Sequence, residues 1–487
     1  MGKRTSIVEM PAWELSKSIH AKTVSCAEVM QAYLDQIDEI NPKVNAIVSL
    51  QDRDGLMHQA EEKDKNLQYG RSEGWMHGFP QAIKDLEDTK GIATTYACPV
   101  FKNYIPEADS LLVKRVKGAG SIIIGKTNTP EWGLGSHTYN NVYGVTGNPY
   151  DPSLSTGGSS GGAACALALR MLPVADGSDF MGSLRNPAGW CNIYGYRPSW
   201  GRVPTDGFEL FMTTFAMRGP MARNVADLAL LLSTLSGYDE GVPLSLDDDP
   251  ELKSLTPYNV HEKLASCQKG RKVAWLGDWD GYLPMEDGVL ALCEKTLEGF
   301  SEFGVSVEKI SPPYDPEVFW KEIWLPLRHF SSRALKALFD DEEKRKLLKP
   351  EIVFEYEGAE KCSVTDLYYA SIKRSDWYRA VMKIFDTYDF IAVPTAQVFP
   401  FDKNIHWPEE ISGKKMDTYH RWMEVVAHWT MCSAPVVAVP AGFSKGGLPM
   451  GMQIIGKPRR DFDLLQFAYT YETYNKWVID YKPKMLG

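Results

Sequence analysis

The sequence has no run of eighteen consecutive apolar residues, which excludes a hydrophobic helix long enough to span a membrane. It has no CxxC pair. Cys26, Cys98, Cys165, Cys191, Cys267, Cys293, Cys362 and Cys432 are scattered, so no zinc or thiol-redox motif emerges and buried free thiols are expected. It has no excess of positive charge. The 53 Lys and Arg against 63 Asp and Glu give a net charge of −10, which argues against nucleic acid as the main partner. There is no internal repeat and no low-complexity tract. The opening stretch MGKRTSIVEMPAWELS lacks the apolar core of a signal peptide, so a cytoplasmic location is expected. Gly2 with Ser6 fits only the loose myristoylation pattern, which matches often by chance. Neither a metal nor a cofactor is expected.

What is present is an ordinary globular composition over 487 residues, 44% apolar and 24% charged, ample for a large core. Elements of two periods alternate. Residues 8–38 show helical spacing broken near AKTVS, with Ser25 as an N-cap; 56–68 and 109–120 also predict helices. SIIIGKTN (121–128) predicts a buried strand, followed by an alanine-rich helix over about 162–172 and a short strand at LPVAD (172–176). KVAWLG, YDFIAVPT, APVVAVPAGF and GMQIIG predict further strands after an acidic connection at 238–270. Strands on both sides of that connection favour one large α/β domain, a mixed central sheet covered by helices on both faces. Within it, residues 1–70 form an N-terminal helical segment, 71–240 the core, 241–390 a connection and helical insertion, and 391–487 C-terminal strands and a helix.

Three stretches carry possible chemistry. TGGSSGGAAC (Thr156–Cys165) places Ser159 and Ser160 among glycines. It satisfies a G-x-S-x-G pattern, which would need a histidine base. His261, His329, His406, His420 and His428 follow, and none stands in a distinguishing context. ADGSDFMGSLRNPAG (175–189) places Ser183 on a strand-to-helix turn. The backbone N–H groups of Phe180, Met181, Gly182 and Ser183 there have the makings of an oxyanion hole. AIKDLEDTKG ends an apolar run at Lys84. A lysine kept from water loses its proton near neutral pH and becomes a general base.

Taken together and in order, these stretches resemble the amidase signature family. The resemblance rests on GGSSGG, then GSDFMGSLRNPAG about two dozen residues on, with AIKDLEDTKGIATTYAC before them and MRGPMARNVADLALLLSTLSG (217–237) and APVVAVPAGFSKGGLPMGMQIIG after. It covers nearly the whole chain and is weakest at 238–270 and 310–385. It implies a Ser-Ser-Lys hydrolase of amides, with Ser183 as nucleophile, Ser159 as bridging serine behind a cis peptide bond and Lys84 as base. It implies a small-molecule amide substrate, with homodimers common in the family. An amidotransferase A-type subunit releasing ammonia from glutamine, or a carbamate or ester hydrolase, are the alternatives. Met181 stands where the family usually has glycine. Trp132, Gly133, Leu134 and Met181 are the expected substrate-contacting residues. Asp179 and Arg185 are expected to be structural partners of the loop.

Overall fold

The computed structural model describes residues 3–207, 209–212 and 215–487; Gly2, half of the myristoylation pattern, lies outside them. Two sheets carry the architecture. The smaller holds β1 (Ile47–Val48), β2 (Pro80–Lys84) and β3 (Ile122–Thr127) in the order β1-β3-β2. β2 and β3 run parallel, with Lys84 opposite Thr127. The larger has eight strands: β4 (Ala175–Asp179), β5 (Tyr194–Arg197), β6 (Met217–Ala222), β7 (Lys272–Trp275), β8 (Ser306–Lys309), β9 (Phe390–Pro394), β10 (Val436–Phe443) and β11 (Pro449–Ile455). Their order is β8-β7-β9-β11-β10-β5-β6-β4, parallel at β8-β7-β9 and antiparallel elsewhere.

The isoleucines of β3 are all buried, as befits a strand covered on both faces. Over it lies the short helix Gly161–Ala168, buried throughout. A Cβ on Gly162 would sit 2.4 Å from the Asn128 backbone nitrogen and 2.6 Å from the Ala46 carbonyl oxygen. Only glycine lets helix and sheet backbones approach this closely. The helix Cys26–Val44 starts where expected. Ser25 and Glu28 form a reciprocal capping box, each side chain accepting from the other's backbone N–H at 3.0 Å. The helix Val225–Leu235 is buried along most of its length. Each of its buried leucines contributes roughly 1.5–3 kcal/mol of apolar burial.

Two expectations need correction. The strand read at 172–176 lies three residues later, at Ala175–Asp179. The stretch MRGPMA, with its glycine and proline, is strand β6, and the apolar helix Val225–Leu235 follows it. Pro220 faces Asp176 across the ladder, which only the fold could reveal. Finally, β2 and β3 do not join the large sheet. β2 packs instead against its edge strand β4, and that seam carries the site.

Candidate active site

Lys84 ends β2 with its side chain fully buried. Its Nζ lies 2.8 Å from Ser159 Oγ, 2.8 Å from Ser160 Oγ, 3.0 Å from Ser178 Oγ and 3.3 Å from the Ser178 carbonyl oxygen. Burial pulls the amine down from the ordinary lysine range to about 7, against the opposing charges of Asp176 and Asp179. A neutral amine donates two hydrogens and accepts one. Ser178's carbonyl can only accept, whereas the hydroxyls rotate. Ser159 is thus free to donate into the nitrogen lone pair.

Ser159 follows a cis peptide bond with Gly158 and is 2% exposed; Ser183 is 5% exposed. The two serine loops are stitched by Ser160 N–H donating to the Ser183 carbonyl at 3.1 Å. Among the described residues no hydrogen bond joins the Ser159 and Ser183 hydroxyls directly. Such bonds often close only around substrate.

Asp179 organises the Ser183 turn. Its carboxylate accepts from Gly182 N–H (2.9 Å), Leu184 N–H (3.1 Å), Arg185 Nε (2.9 Å) and Arg185 Nη2 (2.8 Å), with Arg197 Nη1 3.5 Å away. Burial alone would raise this carboxyl, but the two guanidiniums hold it well below the usual carboxylate range. The Gly182 bond narrows the expected donor set. Its N–H is committed to Asp179, leaving those of Phe180, Met181 and Ser183.

Of the expected substrate contacts, Met181 lies in the Ser183 turn itself and Gly133 lies beside Ser159. A Cβ there would stand 3.3 Å from Ser159 Oγ. Trp132 stacks on Tyr96 with ring centroids 4.6 Å apart and meets Phe101 edge-on. Leu134 joins a small apolar cluster with Cys98, Leu338, Phe339 and Ile352, against which Trp132 and Phe101 also pack. Met181 packs into the main core at 4% exposure. Trp190, Trp422 and Trp429 are interior core residues. Neither of two surface clefts, one along Gln51, Lys63 and Lys117 and one along Trp200, Tyr378 and Arg459, reaches Lys84 or the Ser159 and Ser183 stretches.

No histidine is hydrogen-bonded to Ser159 or Ser183 among the described residues. His428 is wedged between the Trp279 and Phe319 rings, and His329 pairs with Glu355. The sequence reading missed the lysine contact of Ser178. It also missed a buried charge cluster in which Glu355 holds Arg328 (3.0 Å) and Tyr419 (2.6 Å), with the Arg328 guanidinium 4.4 Å over the Phe180 ring. Ser178 was discoverable: it sits one strand period from Asp176, on the same face. The cluster joins residues far apart in the chain and leaves no local trace.

The chain is similar to known proteins along nearly its whole length. A family profile described as Amidase matches residues 28–465. The chain is similar to an acylamidase of Rhodococcus erythropolis, 32% identical over 477 residues and covering 97% of each protein. It is similar to the A-type subunit of glutamyl-tRNA(Gln) amidotransferase from Acaryochloris marina, 30% identical over 484 residues, covering 95% of this chain and 97% of that one. Among solved structures, a bacterial aryl acylamidase of the amidase signature family superposes with a TM-score of 0.87 at 26% identity, covering 96% of this chain and 97% of that one. No helix among the described residues is long and apolar enough to cross a membrane. With a buried lysine on paired serines and a family match along almost its full length, the chain belongs to the amidase signature family of amide hydrolases.

Proposed function

We propose that this chain hydrolyses small-molecule amides of aryl or apolar acyl groups in the cytoplasm through an acyl-enzyme on Ser183. Neutral Lys84 takes a proton from Ser159 as Ser159 takes one from Ser183. Ser183 Oγ attacks the amide carbonyl. The tetrahedral oxyanion rests on the N–H groups of Phe180, Met181 and Ser183. The proton returns through Ser159 to the leaving amine, the C–N bond breaks, and water attacks the ester along the same path. All these groups come from one chain, so a homodimer would add none of them. The observation that carries the reading is the buried Lys84 amine 2.8 Å from Ser159 Oγ. The Trp132, Tyr96 and Phe101 rings beside Gly133 support an aryl or apolar substrate.

The test is to assay the purified chain alone on anilides, aliphatic amides, carbamates, esters and glutamine. Anilide hydrolysis is expected, falling at least about a thousandfold in Ser183→Ala with the fold retained. Turnover of glutamine alone would favour the amidotransferase-type alternative, and an active Ser183→Ala would end the serine assignment.

A further inference from the structure

We infer that Asp176 is a positioning residue whose negative charge sets the proton affinity of Lys84. The inference rests on Lys84 being the base. Alternation along β4 puts Asp176 and Ser178 on one face, the face that meets β2. Ser178 meets the lysine's amine there, and Asp176 Oδ2 accepts the Lys84 backbone N–H at 3.2 Å. Asp176 is fully buried, and its second oxygen, Oδ1, has no hydrogen-bond partner among the described residues.

Holding one backbone N–H does not require a charge. An asparagine oxygen would serve equally well, and burying a carboxylate with an idle oxygen is costly. The charge is therefore the feature to be explained. The other carboxylates near Lys84 have cationic partners of their own. Asp179 is paired with Arg185 and Arg197, and Glu87 with Arg218 at 2.6 Å. Lys126, on the neighbouring strand β3, donates to the Glu87 carbonyl (2.5 Å) and to Thr89 Oγ1 (2.9 Å). Asp176 has no ion-pair partner among the described residues. Of these carboxylates it alone has no paired guanidinium to offset its field at the amine, although the Lys126 charge also acts on it. Its direction of action follows. Burial drives Lys84 toward the neutral form, and a negative neighbour resists. Burial also pushes Asp176 itself up to about 6, so it is ionised at neutral pH, where the amine must change state. Asp176 thus keeps the buried amine basic enough to take a serine proton while leaving it neutral near pH 7.

The test compares the parent with Asp176→Asn, which keeps an oxygen for the Lys84 N–H and removes the charge. The rate of Ser183 labelling by an uncharged fluorophosphonate is followed from pH 5 to 9, alongside kcat/KM for a neutral anilide and the Tm. The acid-limb midpoint is expected to fall by at least about 0.5 pH unit in Asp176→Asn. An unchanged midpoint with a lower Tm or plateau would make Asp176 merely structural and overturn the inference. Should Asp176→Asn not fold, Asp176→Ser replaces it. Loss of folded protein in both variants would likewise assign Asp176 to structure and overturn it. Lys84→Ala separates the two levels. If it keeps the acid limb, the base assignment fails. If it abolishes labelling while Asp176→Asn leaves the midpoint in place, only the present inference fails.

Discussion

Asp179→Asn is the sharpest test of how the Ser183 turn is held. In the parent, one buried carboxylate satisfies two backbone N–H groups and two guanidiniums. Asparagine keeps one oxygen and turns an NH2 toward groups that also donate. It leaves Arg185 and Arg197 as buried cations without a counter-charge. Breaking a buried pair in this way costs about 3–5 kcal/mol. A chain of 487 residues unfolds with an entropy of roughly 1 kcal/mol/K, so the expected fall in Tm is only about 3–5 °C. The functional effect is larger, because the loop that presents Ser183 loses its anchor at Gly182: kcat/KM falls roughly tenfold or more. The pH dependence gives a second reading. A carboxyl depressed in the folded state contributes stability that is full above its unfolded value of about 3.9 and is lost as pH falls through the lower folded value. Asp179→Asn should flatten that acid slope. Scanning fluorimetry across pH, with Ser183 labelling as the activity readout, measures both. A Tm within about 1 °C of the parent's together with undiminished labelling would refute the argument.

Two further outcomes are expected. Gly133→Ala places a methyl 3.0 Å from Leu86 Cδ1 and 3.3 Å from Ser159 Oγ on a backbone with φ of +71°, which L side chains rarely adopt. The strain costs roughly 1–2 kcal/mol, and Ser183 labelling should slow about tenfold; labelling at the parent rate would place Ser159 outside the proton path. Trp132→Ala removes the ring stacked on Tyr96, so kcat/KM for an anilide should drop about 10- to 100-fold relative to a short aliphatic amide. An unchanged ratio would mean that this aromatic wall does not face the substrate.

Local signals were legible where local physics decides. The isoleucine run of β3, the Ser25 cap and the placing of Lys84 at a strand end are all readable from neighbours in the chain. What was not legible is settled across long separations. The helix Ala12–His20 begins after Pro11 with no side-chain cap of its own. Its first N–H groups, from Ala12 and Trp13, are instead accepted by Asp227 at 2.7 and 2.8 Å. Strand β6 contains Gly219 and Pro220, poor strand residues by propensity, and exists because β4 and β5 pair with it. Within the candidate site, the two serine stretches and the lysine were visible as motifs. The commitment of Gly182 to Asp179 is a contact within one turn that the motif did not announce, whereas the placing of Asp176 against Lys84 depends on how β2 meets β4, and no spacing along the chain encodes that.

The seam between the two sheets has a mechanical consequence. The amine rides on the smaller sheet and the Ser183 turn on the larger, and the bonds of Lys84 to Asp176 and Ser178 fasten the two together. Slippage of an ångström would part nitrogen from hydroxyl while every ladder within each sheet stayed whole. On warming, activity is expected to be lost before the fold, with an inactivation temperature below the temperature at which circular dichroism collapses; coincident temperatures would refute this.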